Sequence, residues 1–210
     1  MDDYNIKLEE NIFPIIKNIK NPNILELGVQ NGTSTNKFLD LCEKNSGYLF
    51  SVDVVDCSKV SNNKRWKFIQ SRDDNFDFIK SLIPKKIDVI YIDTLHEAAH
   101  VKKIIYGYYE ILNEGGFIFI DDISHLPYLK TTTGNNFYCE INNKETFDLL
   151  LAIYSENYEK FDLNFSFSSS GLAIIQKKNE SNLIQPHNLS LRENSIKNIV
   201  RKIWGKIKKN

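Results

Sequence analysis

Apolar and polar positions along this chain change period in blocks. Ile6, Leu8, Ile12, Phe13, Ile15, Ile16 and Ile19 recur at roughly helical spacing, interrupted at Pro14, which predicts one helix or two short ones over residues 5–20. Asn21-Pro22-Asn23 is a turn. Short apolar runs at 24–27, 48–53, 66–69, 87–93 and 117–122 read as strands. The run at 87–93 is almost continuously apolar, as a strand covered on both faces should be. Amphipathic segments separate the runs. The one from about 33 to 44 buries Phe38, Leu39, Leu41 and Cys42, a short one carries Phe76, Phe78, Ile79 and Leu82, and a third carries Val101, Ile104, Ile105, Tyr108, Tyr109 and Leu112. Asn113-Glu114-Gly115-Gly116 predicts a glycine stop for that third helix. Strand, helix and strand in succession make a right-handed parallel crossover, and the alternation sets the class as α/β. A helix over 146–158 and an antiparallel pair at 161–167 and 171–176 complete the body.

Composition adds bounds. The 210 residues favour one domain, and 41% hydrophobic with 26% charged residues is ordinary for a globular chain. Cys42, Cys57 and Cys139 are odd in number and far apart, which argues against a disulfide framework or a zinc site. The start Met1-Asp2-Asp3-Tyr4 lacks the features of a signal peptide, and no apolar run has transmembrane length, so a cytoplasmic protein is expected. Net charge is zero but unevenly spread: residues 179–210 hold seven basic and two acidic residues, leaving the remainder net acidic and a poor nucleic-acid binder. The expected organisation is a body over 1–178, then a polar linker and a basic amphipathic helix over 179–210. In that helix Ile196, Ile199, Val200, Ile203, Trp204 and Ile207 oppose Lys and Arg. Such a helix suits either a membrane surface, here the inner face, or packing on the body or a second copy in a homo-oligomer.

The chemistry gathers at strand ends. The first strand runs through Glu26-Leu27-Gly28, crosses a polar loop to Gly32, and starts a helix at Thr33-Ser34. Gly28 and Gly32 let the backbone bend and let a ligand approach, and Thr33 or Ser34 can cap the helix. The spacing G-x-x-x-G differs from both the dinucleotide loop and the P-loop, and no Lys follows Gly32. Glu26 would repel a pyrophosphate and suits a cationic or hydroxyl-rich ligand. Asp53 ends the second strand about 20 residues beyond the loop, where a carboxylate accepts from ribose hydroxyls. Ser71 and Asp73 follow the third strand as candidate ligand contacts. Asp93 follows the fourth, and Asp121 and Asp122 end the fifth. Three carboxylates together either repel or share a cation, and an all-oxygen set suits Mg²⁺. His96 stands at the mouth of that group as a candidate base. His100 reads as a packed or exposed residue. The long segment 123–143 reads as a substrate lid, with His125, Tyr128 and Tyr138 as candidate acceptor contacts.

The stretch from Glu26-Leu27-Gly28 to Gly32-Thr33-Ser34 resembles motif I of class I S-adenosylmethionine-dependent methyltransferases. Asp93, Asp121 and Asp122 with His96 resemble the metal-dependent O-methyltransferases. His96 stands where catechol-type members carry a lysine base, and Asp-x-x-His followed by Gly-Gly and Asp-Asp is similar to the branch that methylates sugar hydroxyls. The resemblance spans roughly residues 20–176. It implies a Rossmann-like, doubly wound, seven-stranded sheet, mostly parallel with an antiparallel last strand and helices on both faces. It implies S-adenosyl-L-methionine held by Glu26, Gly28, Gly32, Thr33, Ser34, Asp53, Ser71, Asp73 and Asp93, with Mg²⁺ on Asp93, Asp121 and Asp122. His96 and Asp93 would be catalytic, on a small-molecule hydroxyl acceptor such as a sugar. A metal-free methyltransferase with His96 as base stays open, and a noncatalytic nucleotide- or metabolite-binding α/β protein is the alternative from another class. An NAD-dependent oxidoreductase is disfavoured by the absent third glycine and by Glu26. The Asn/Asp-Pro-Pro-Tyr motif of amino-group methylation is absent after the fourth strand.

Overall fold

In the computed structural model, which describes residues 3–124, 137–186 and 195–207, the N-terminal apolar stripe forms one helical run in three parts. These are α1 (Asp3–Ile6), a π-helical turn (Lys7–Ile12) and α2 (Phe13–Ile16). Pro14 sits in the first turn of α2, where the π-helical turn gives way to α-helix. Leu8, Ile12 and Ile16 are fully buried against Ile24, Phe38, Val89, Tyr91 and Phe119. Phe38 comes from α3 (Thr33–Asn45), which covers the same face of the sheet.

The sheet consists of β1 (Asn23–Leu27), β2 (Tyr48–Asp53), β3 (Trp66–Gln70), β4 (Ile87–Ile92), β5 (Leu112–Asp121), β6 (Phe161–Ser166) and β7 (Leu172–Lys177). Its order is β3-β2-β1-β4-β5-β7-β6. The pairs among β1 to β5 are parallel, and β7 is antiparallel to both β5 and β6. The alternation predicts the α/β class, and this is the doubly wound, mostly parallel seven-stranded sheet that the resemblance implies. Side chains alternate across it as a strand requires: Leu25, Leu27, Ile90, Ile92, Ile118 and Ile120 face a second core. That core is covered by α4 (Phe76–Leu82), α5 (Ala98–Tyr108) and α6 (Phe137–Asn157), through Ile79, Ile104, Ile105, Leu150 and Ile153 among others.

One boundary departs from expectation. α5 ends at Tyr108, a 3-10 turn spans Tyr109–Ile111, and β5 already begins at Leu112. Residues 113–116 lie inside that strand as an irregularity, with the β4–β5 register shifting between Ile87 and Val89. Gly115 takes φ +78° there, open to a glycine, as a bulge needs. The helix-closing role falls to Lys177. It is 1% exposed and its Nζ donates to the carbonyls of Leu112 (2.7 Å) and Tyr109 (3.3 Å).

α6 starts at Phe137, well before the predicted 146. His125 and Tyr128 lie outside the described residues, as do the side chains of Tyr138 and Cys139. After β7, the segment predicted as a linker is fastened to the body as far as Ile184. Asn157 Nδ2 donates to the Ile184 carbonyl (2.8 Å), Ile184 N donates to Asn157 Oδ1 (2.7 Å), and Tyr106 OH donates to the Ile184 carbonyl (2.7 Å). The last described element is α7 (Ile196–Ile207). Among the described residues no helix is long and apolar enough to cross a membrane.

Candidate active site

The parallel strands deliver their C-terminal ends to one edge of the sheet: Gly28 after β1, Asp53 at the end of β2, Ser71 after β3, Asp93 after β4 and Asp121 at the end of β5. β1 and β4 are neighbours where the winding reverses, and at that reversal such sheets leave a crevice. A cavity of about 660 Å³ opens there. Of the expected ligand contacts, Gly28, Thr33, Ser34, Asp53, Ser71, Asp73, Asp93 and His96 line it. Gly32 and Glu26 do not.

The glycine loop is fixed by its surroundings. Gly28 sits at φ +96°, and a Cβ there would stand 1.9 Å from the Asp93 carbonyl oxygen, so β1 and β4 approach too closely for any other residue. Gly32 sits at φ +76°, where a Cβ would meet Val60 Cγ1 at 2.1 Å. Gly32 itself is the residue preceding α3, with no side-chain cap, so neither Thr33 nor Ser34 caps the helix. The hydroxyls of the first turn turn inward instead. Ser34 Oγ (2.5 Å) and Thr35 Oγ1 (2.8 Å) donate to the Glu26 carboxyl, joined by Ser51 Oγ (2.6 Å). Glu26 is thus fully buried beneath the loop, and the hydroxyl groups it suits are the protein's own. Burial pushes its pKa up to about 7, the neighbouring Asp93 adds to this, and the three hydroxyls oppose it.

Asp53 holds the loop from the other side. Its Oδ2 accepts from Val29 N (2.9 Å) and Gln30 N (3.1 Å), and its Oδ1 accepts from Val55 N (2.9 Å). Partial burial works against the charge, but these amides outweigh it and hold Asp53 below the ordinary carboxylate range. At the cavity's far wall, Asp73 Oδ2 accepts from Thr94 Oγ1 (2.7 Å) and lies 2.7 Å from His100 Nε2. His100, read from the sequence as packed or exposed, belongs to the cavity wall. Thr94, Gln30 and Arg72 also line it. Sequence reasoning passed over them because polar loop residues carry no periodic signal.

Beyond Asp93 the acidic group is compact. His96 Nε2 lies 3.5 Å from both Asp93 Oδ1 and Asp122 Oδ2. Asp122 adopts φ +57°, a conformation that Asp tolerates better than most residues, and this holds its carboxylate toward the histidine. Tyr91 OH donates to Asp121 Oδ2 (3.0 Å) and lies 3.5 Å from Asp93 Oδ2. Asp121 is 2% exposed and ion-pairs with Lys7, whose Nζ also donates to Ser170 Oγ (2.6 Å) and sits 3.6 Å from Asp122 Oδ1. Burial raises the Asp121 pKa, the Asp93 charge adds to it, and Lys7 opposes.

The resemblance implies a divalent ion on Asp93, Asp121 and Asp122. These side chains do not fit one as they stand. Asp121 is committed to an ammonium and a phenol, and the same ammonium lies against Asp122. Among the described residues no three His, Cys, Asp or Glu side chains converge as a metal-binding group. Lys7 had no signal of its own beyond preceding Leu8 in a buried stripe.

Residues 25–123 match a family described as a methyltransferase domain. No curated protein matches the chain. Among solved structures, the MycE methyltransferase of the mycinamycin biosynthetic pathway, in complex with Mg and SAH, is 18% identical with a TM-score of 0.62. That likeness covers 85% of this chain and 52% of MycE, so the chain spans about half of MycE's length. A Staphylococcus aureus protein provisionally assigned as a caffeoyl-CoA O-methyltransferase is 18% identical, with a TM-score of 0.61 over 84% of each chain. SAH-bound PaMTH1, a Podospora anserina methyltransferase, is 16% identical, with a TM-score of 0.60 over 75% of this chain and 72% of that one. At these identities the likeness is one of fold.

Proposed function

We propose, from the match of residues 25–123 to a methyltransferase-domain family, that the chain is an S-adenosylmethionine-dependent O-methyltransferase acting on a hydroxyl of a small polyhydroxylated acceptor such as a sugar. The observation that carries the reading is a single cavity bordered by the glycine loop and Asp53 on one side and by His96 on another. S-adenosylmethionine supplies an electrophilic methyl on a sulfonium. The glycine loop admits its backbone-close portion, Asp53 receives ribose hydroxyls, and Asp73 faces the adenine end. His96 presents Nε2 to two carboxylates, which favours the tautomer with its proton there and leaves Nδ1 to take the acceptor's proton. As that proton leaves, the acceptor oxygen bonds to the methyl carbon. The carbon–sulfur bond breaks, and sulfur keeps the electron pair. The protein's main contribution is to align oxygen, carbon and sulfur. The Mg of the MycE complex belongs to that protein. Here no step is routed through a metal.

Calorimetric titration of S-adenosylhomocysteine into the full chain tests the cofactor half. Micromolar binding, weakened about tenfold or more by Asp53→Ala (about 1.4 kcal/mol), is expected; absence of binding overturns the assignment. Transfer of labelled methyl to a panel of sugars and catechols tests the rest. His96→Ala should lower turnover about 10²- to 10⁴-fold while leaving S-adenosylhomocysteine binding unchanged.

For α7 we propose contact with an anionic lipid surface. Ile196 and Trp204 are 81% and 63% exposed, and the sequence sets Lys197 and Arg201 among them.

A further inference from the structure

We infer that Lys7 is the resident cation of the acidic group, standing where the related enzymes' resemblance implies a divalent ion, and that this site works without one. Lys7 belongs to the π-helical turn and is 3% exposed. Its neighbours in the stripe, Leu8 and Ile12, are fully buried, so the turn is seated on the sheet and does not merely lie near it. An ammonium so placed survives only with oxygen partners. Its partners include the Asp121 carboxylate, Ser170 Oγ at 2.6 Å and Asp122 Oδ1 at 3.6 Å. They come from the end of β5 and from the turn between β6 and β7, so the lysine joins three parts of the chain at one point.

The contacts continue as a ring. Asp121 is bridged to Asp93 through the Tyr91 hydroxyl, and Asp93 and Asp122 flank His96. Three carboxylates gathered within this space repel one another. Lys7 offsets that repulsion from the buried side and so lets Asp93 and Asp122 both point at the histidine. A divalent ion at Asp121 and Asp122 needs the volume and the charge balance that the ammonium already supplies, so the two are mutually exclusive. Lys7, at 4% side-chain exposure, does not reach the cavity. It is a positioning residue for His96.

The test uses Mn²⁺ as probe on EDTA-stripped full-length protein, reading free Mn²⁺ by electron paramagnetic resonance. Wild type should show no saturable binding tighter than millimolar. Lys7→Met should gain a site about tenfold or more tighter, Lys7→Arg should behave as wild type, and adding Asp121→Asn to Lys7→Met should remove the gained site. Micromolar binding by wild type, abolished by Asp121→Asn, overturns the inference, as does a folded Lys7→Met that gains nothing. Should Lys7→Met fail to fold, the wild-type titration decides alone. The inference rests on the methyltransferase reading only for turnover, which should be insensitive to EDTA. S-adenosylhomocysteine binding, measured on the same samples, reports separately on whether that reading holds.

Discussion

Glu26 carries a charge balance that pH can expose. Its carboxyl is fully buried, and its pKa rises from 4.5 to about 7 on folding. The folded chain therefore holds that proton more tightly than the unfolded chain. The stability this confers is complete below about pH 4.5 and is lost as pH rises through about 7. Glu26→Gln keeps the shape without the charge. Compared with the variant, wild type should lose stability between these values by on the order of 3 kcal/mol, at about 1.4 kcal/mol per pH unit. Urea denaturation at a series of pH values checks this, and parallel curves for the two proteins would refute it. Such an acid was legible as unusual, because it interrupts an apolar strand. Its destination was not. Ser34, eight residues on, looked like a cap residue by local rules, Thr35 beside it carried no signal, and Ser51 comes from the neighbouring strand. Lys7 shows the same limit more sharply: its partner Asp121 is 114 residues away, and local spacing carries no information at that range.

Among elements, strands were the most legible, because burial on both faces leaves long apolar runs and few competing readings. Strand ends then placed Asp53, Asp93, Asp121 and Asp122 at one edge without further assumption. The α5–β5 boundary was not legible. Glycines that end helices also make bulges, and the choice was settled by Lys177, at the end of the neighbouring strand β7, taking the carbonyls of Tyr109 and Leu112. Two substitutions test how elements hold each other. Gly28→Ala would drive a Cβ into the Asp93 carbonyl at 1.9 Å, from a backbone already at φ +96°. A loss of about 3 kcal/mol or more is expected, with S-adenosylhomocysteine binding lost even where the fold survives. Asn157→Ala removes both bonds that fasten Ile184 to α6. It should cost about 1–3 kcal/mol and hasten proteolytic cleavage after β7, which limited digestion reads directly.

Over the whole molecule, charge divides into an acidic body and a basic C-terminal segment that sum to zero. The full chain should sediment with vesicles containing phosphatidylglycerol and not with neutral ones. Added salt should release it, since the Debye length shrinks from about 10 Å at 0.1 M to about 3 Å at 1 M. Trp204 fluorescence should shift to the blue on binding. Concentration-dependent self-association without vesicle binding would assign α7 to a second copy instead.

The sheet order has a consequence for the ribosome. β7 is made last of the strands yet inserts between β5 and β6. Until residue 177 emerges, β5 carries Ile118, Phe119 and Ile120 with one edge bare, a template for pairing with other nascent chains. Lys7 waits as well, since Ser170 lies 163 residues behind it, roughly 8 to 30 s at the usual pace of about 5–20 residues per second. Synthesis that stalls before residue 170 therefore releases a chain with an open sheet and with Lys7 paired to Asp121 but short of Ser170, so this fold closes at its two ends together.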